Sequence, residues 1–147
     1  MVVVTDAMAQ KPFWLHDRSW GDPNIGGWDS FTATNFHVVR VIKGQATPWL
    51  QRQQQGATPN SLPCPHHIEV IANQPPPTVG TQYLLFDYHH LRLNPNRPQQ
   101  DQGYQGAWWR FPVINGIVHS ETELNPQAET MQMTPQPLDA FLRSIGL

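Results

Sequence analysis

The stretch "FPVINGIV" at residues 111–118 constrains the fold most, because Asn115-Gly116 stands between two short runs of strand formers. A two-residue type I′ turn needs positive φ at both central positions, and Asn followed by Gly meets that need at low steric cost. The stretch therefore predicts a β-hairpin and, with it, an antiparallel sheet. Two further runs extend the sheet. "FTATNFHVVRVIKG" (31–44) sets Phe36, Val38 and Ile42 against His37, Val39 and Val41 and stops at Gly44, and apolar residues on both faces near its end suit an inner strand. "TQYLLFDYHH" (81–90) points Tyr83 and Leu85 one way and Leu84, Phe86 and Tyr88 the other, which suits the buried centre of the sheet. "VVVT" near the start and "HIEVIAN" (67–73) read as shorter strands.

The intervening sequence reads as connections. Residues 10–30 hold Trp14, Trp20 and Trp28 among turn formers without a period of 2 or 3.6, so they read as a long loop. The Gln- and Pro-rich segments 45–65, with Trp49, and 91–106 read the same way. In "QPPPTVG" three consecutive prolines lack the N–H that a ladder needs, which predicts a polyproline-like crossing. One helix is legible, at about 136–146. Leu138, Phe141, Leu142 and Ile145 fall at i, i+3, i+4 and i+7, with Pro135 and Pro137 at the entry, Arg143 in the last turn and Gly146 as the stop. These pieces make a mainly β single domain over 1–147: a five- to six-stranded antiparallel sheet curled into a small barrel, with long loops and a C-terminal α-helix.

Composition agrees with a folded domain. A chain of 147 residues, 39% hydrophobic and carrying six tryptophans, can bury a core without cross-links, and its single cysteine excludes an internal disulfide. Formal charge is −2, and basic residues such as Arg18, Arg40, Lys43, Arg92 and Arg110 are dispersed, which argues against a phosphate-tracking nucleic-acid surface. No run approaches the eighteen or so apolar residues of a membrane span. Charged residues are 14%, below the usual quarter or so. A surface dressed instead with Gln, Asn, Thr, Pro and His points to an extracytoplasmic site of action. Ala7-Met8-Ala9 has the A-x-A form of a signal-peptidase site, but only three valines precede it, so "VVVT" is read as a strand.

Three kinds of chemistry can be weighed. In "LPCPHHIEV", Cys64 precedes His66 and His67, and antiparallel pairing of 67–73 with 81–90 would bring His89 and His90 close. Thiolate and imidazole suit Zn²⁺ or Cu. Adjacent strand residues point to opposite faces, however, so each His-His pair offers one ring to a shared ion, and Cys-x-His-His repeats no structural zinc spacing. Cys64 as a nucleophile lacks a cationic neighbour or helix N-terminus to lower its pKa. The carboxylates Asp6, Asp17, Asp22, Asp87, Glu121 and Glu123 form no constellation, and Glu121 with Glu123 reads as a solvated edge. The aromatics are the third kind. Trp14, Trp20, Trp28 and Trp49 in loop-like sequence, with Trp108-Trp109 on a strand, either cap a barrel or form a platform for a protein or polysaccharide partner.

Taken in order, "FHVVRVIKG", "IEVIA", "VGTQYLLF" and "GAWWRFPVINGIV" resemble a pattern of small bacterial β-proteins, and the first three blocks are similar to the core of netrin-like modules and tissue inhibitors of metalloproteinases. The resemblance spans residues 31–119 and implies a five-stranded barrel of the OB type and a leaning towards binding. The inhibitors' zinc-binding N-terminal cysteine and disulfides have no counterpart here, because Cys64 is alone and lies in mid-chain. The expectation is a non-enzymatic, OB/netrin-like binding domain. The alternatives are a metal-binding protein centred on Cys64, His66, His67, His89 and His90, and a carbohydrate-binding module using exposed tryptophans.

Overall fold

The hairpin forms where Asn115-Gly116 places it. Asn115 has φ 52° and Gly116 φ 76°, the two positive values that a type I′ turn demands. In this computed structural model the described residues are 1–16, 28–57, 75–87, 93–94, 97–103, 108–124, 126 and 132–147. Their elements are β1 (Val2–His16), β2 (Trp28–Lys43), β3 (Trp49–Gln55), β4 (Gln82–Asp87), β5 (Leu93–Asn94), β6 (Arg97–Gly103), β7 (Trp108–Ile114), β8 (Ile117–Val118), β9 (Gln136–Pro137) and α1 (Leu138–Ser144), with a 3-10 turn at Glu121–Glu123.

The strand order is β5-β6-β3-β2-β1-β4-β7-β8-β9. The seven strands from β3 to β9 form a continuous antiparallel sheet, β6 joins β3 in parallel, and β5 pairs antiparallel with β6. This ladder is open, with β5 and β9 at its ends. The sheet is nevertheless curled. Side chains of β3 meet those of β4 and β7, which lie three and four places away in the order. On a flat sheet those separations would be roughly 14 and 19 Å, beyond the reach of paired side chains.

Alternation along the strands builds two cores. On one face Val2, Val4, Leu84, Phe111, Val113 and Val118 pack against Phe141 and Leu142 of α1. Phe86, Phe111 and Phe141 meet there at ring distances of 5.6–6.5 Å. On the inner, concave face Val3, Ala7, Phe36, Leu50, Tyr83 and Leu85 form the second core. The expected opposition of Tyr83 and Leu85 to Leu84 and Phe86 thus separates the two cores.

The helix lies on the outer face of β1, β4 and β7, held by the buried Phe141 and Leu142, which contribute roughly 3–6 kcal/mol together. Its entry is tied to the hairpin, where Leu138 N–H donates to the Gly116 carbonyl at 2.9 Å. Its end is a Schellman cap: Gly146 at φ 79° lets Gly146 N–H reach Arg143 O at 3.2 Å and Leu147 N–H reach Leu142 O at 2.9 Å.

Three segments expected as loops contain strands. Residues 10–16 continue β1 and Trp28–Ser30 begin β2, so Trp14 and Trp28 belong to a long hairpin, with Trp14 opposite Ser30 and Trp28 opposite His16. Turn formers between the arms had masked the arms themselves. A bulge between Ala7 and Ala9 also breaks the period of 2 on which a sequence reading depends. Residues 49–55 form β3, whose inward positions are Leu50, Arg52 and Gln54. Only one of these is apolar, so no hydrophobic alternation announces the strand. Within 91–106, Leu93–Asn94 and Arg97–Gly103 are strands paired with each other and with β3. Residues 67–73, expected as a strand, lie outside the described residues. The polyproline crossing is anchored through its carbonyls, because proline keeps its acceptor. Gln10 donates to Pro77 O, and Arg110 donates to Pro75 O.

Candidate binding groove

The inner face carries charge where a barrel interior is usually apolar. Arg52 and Asp87, with side chains 3% and 2% exposed, form an ion pair in which Nε donates to Oδ2 at 2.6 Å. Close by in the strand order, Arg110 donates to Gln54 Oε1 at 2.9 Å and to Glu121 Oε1 at 3.0 Å. Its guanidinium also sits 6.0 Å from the centroid of the Tyr83 ring. Tyr83 is fully buried, and its hydroxyl accepts the Thr78 N–H at 2.8 Å. Burial first, and then the Glu121 carboxylate, raise the Tyr83 phenol above its ordinary value. Glu121 is 1% exposed, so the expectation of a solvated edge is overturned; the 3-10 turn swings it inward onto Arg110. Glu123 stays at the surface, 2.5 Å from His119 Nδ1. The network pins β3 to β4 and β7, and it reads as the fastening of the curl.

The accessible chemistry lies on the opposite face. Register places Lys43 opposite Val2, Val2 opposite Phe86, and Phe86 opposite Trp109. Directly opposed residues share a face, so these four form one row across β2, β1, β4 and β7. The helix covers the neighbouring row of Val4, Leu84 and Phe111 but only partly shields this one. A groove of about 630 Å³ results, within the range of small-molecule and side-chain binding sites. Its lining is largely aromatic and aliphatic, with Phe86, Phe111, Phe141, Trp109, Ile145 and Leu147. Trp109 and Ile145 remain 45% and 44% exposed, although each is large and apolar. Among the described side chains that line the groove, two are charged, Lys43 and Asp87, and the Asp87 carboxylate is already held by Arg52.

Among the described residues, Trp109 is the tryptophan that lines this groove. Trp49 is 40% exposed on β3, with its ring 4.9 Å from His37. It lies on the same outer face but four ladder spacings away, roughly 19 Å along the sheet. The half-buried Trp14 lies on β1, Trp28 opens β2, and Trp108 pairs with Asp87; Trp20 lies outside the described residues. Trp49 and Trp109 are therefore not neighbours on one platform. Cys64, His66, His67, His89 and His90 also lie outside the described residues. Among the described residues, no three His, Cys, Asp or Glu side chains gather as metal ligands, and no helix is long and apolar enough to cross a membrane.

Sequence reasoning had singled out Trp109 for its aromaticity but missed Phe86, Phe111, Ile145, Leu147 and Lys43 as its companions. The signal for Phe86 and Phe111 was alternation, which reads as core. Their role at a groove follows from where α1 ends. Comparison with protein-family models found no match, and comparisons with curated proteins and with solved structures found none.

Proposed function

We propose that this chain is a non-enzymatic binding domain, built on an OB/netrin-like curled sheet, that captures an apolar group of its partner between Trp109 and the end of α1. The observation that carries the reading is the groove itself, whose apolar walls include two large side chains left nearly half exposed. Monomeric proteins seldom leave contiguous apolar surface in a concavity without a use for it. The charged groups near the groove support binding over catalysis, because Asp87 is neutralised by Arg52 and Lys43 has no acid–base partner among the described residues lining it. Full barrel closure of the OB type belongs to the same proposal.

The test is nuclear magnetic resonance of the Trp109 indole while peptides with aromatic or aliphatic side chains, and small apolar ligands, are titrated into the protein. Saturable shifts at Trp109 that Ile145→Asp abolishes are expected, since the charge lands in the apolar wall without removing a fully buried group. Binding that leaves Trp109 unmoved, or that Ile145→Asp does not weaken, would overturn the groove as the site.

A further inference from the structure

Resting on that reading, we infer that the groove takes an unbranched alkyl chain ending in a carboxylate, lying along the row from Trp109 to Lys43. Three observations favour this occupant. The row Trp109, Phe86, Val2, Lys43 crosses four strands by register and therefore spans about 14 Å. It is apolar at one end and over its middle, and its other end is a lysine. Lys43 is exposed and forms no ion pair among the described residues, whereas the nearby Arg40 is engaged by Asp139 of α1 at 3.5 Å. Among the described side chains that line the groove, the acid, Asp87, is neutralised by Arg52, so the side-chain charge left at that end is the Lys43 ammonium, which selects an anion.

The backbone of the floor argues for hydrocarbon over peptide. Strands β1 and β4 are hydrogen-bonded on both sides, β1 by β2 and β4, and β4 by β1 and β7. At its middle, on β1 and β4, the floor therefore has no ladder N–H or C=O groups left over for a peptide, whose own groups would be costly to leave unmet in an apolar groove. A hydrocarbon chain brings no such groups, and Phe86, Phe111 and Phe141 offer it ring faces and edges.

Calorimetric titration of the full chain with octanoate, decanoate and dodecanoate, kept below micelle-forming concentrations, tests the inference. Decyltrimethylammonium and decyl glucoside serve as cationic and neutral probes of the same chain length. Affinity is expected to rise up to about fourfold per methylene. Decanoate should bind about five- to tenfold tighter than decyltrimethylammonium at low salt, and the gap should narrow as salt screens Lys43. Lys43→Glu should reverse the preference, and Ile145→Asp should weaken all three classes. Equal affinity for the anionic and cationic probes would overturn the carboxylate while leaving the groove reading intact. Failure of every alkyl probe, with apolar peptides still shifting Trp109, would overturn the alkyl occupant alone. If neither alkyl probes nor peptides disturb Trp109, this inference and the proposed function fall together.

Discussion

Replacing Arg52 by Met should strongly destabilise the protein, because it strands a buried charge in the curled interior. Asp87 would then be left 2% exposed without the guanidinium that now donates to it at 2.6 Å. Removing one member of a buried pair costs about 3–5 kcal/mol, because the survivor keeps its desolvation penalty and loses its compensation. Asp87→Leu should cost a similar amount from the other side. The double variant Arg52→Met/Asp87→Leu carries no buried charge at this pair and should return to within about 2 kcal/mol of the parent. Non-additivity of that size is expected only for residues in contact, and these two are 35 positions apart in sequence. Urea unfolding monitored by tryptophan fluorescence supplies the free energies, and thermal melts should show each single variant falling by roughly 10 °C. Single variants within about 1 kcal/mol of the parent would refute the reasoning, since the pair would then be solvated and β3 would not fold over β4. A double variant as unstable as the sum of the singles would refute it equally.

Two other changes probe separate parts of the fold. At Gly116, φ is 76° and an added Cβ would meet nothing within 4 Å; Gly116→Ala therefore isolates backbone strain and should cost about 1–2 kcal/mol in urea unfolding, with no loss indicating that the turn relaxes to another type. For Tyr83, the folded phenol titrates above the ordinary 10.0, so the unfolded chain releases its proton first as pH rises. Its contribution to stability is fully present below about pH 10 and declines as pH climbs through the raised folded value. Tyr83→Phe should flatten that part of the pH–stability curve, and ultraviolet titration of the parent's three tyrosines should show one late-ionising group that the variant lacks. Three tyrosines ionising together would contradict the burial of Tyr83.

Legibility from sequence followed how local each determinant is. The Asn115-Gly116 turn, the Tyr83/Leu85 against Leu84/Phe86 alternation and the Phe141/Leu142 stripe depend on residues a few positions apart, and all three are borne out. β3 was not legible, because its inward residues Arg52 and Gln54 become acceptable core residues only once Asp87 and Arg110 arrive from other strands. The groove was half legible. Trp109 stood out as an adjacent aromatic, but its pairing with Phe86 and the reach of that row to Lys43 are matters of register.

What the sequence by itself determined is the set of local commitments: a mainly β chain, a type I′ hairpin, a two-faced central strand and one amphipathic terminal helix. These follow from φ preferences and side-chain period, which act over a few residues. Only the tertiary structure decided that polar β3 is a strand, that Glu121 is buried, and that the helix covers the Phe86–Trp109 row only in part. Each of those outcomes depends on partners distant in sequence, since a buried charge is tolerated only where its counter-charge is brought to it, and a groove exists only where two separately formed elements fail to cover one another.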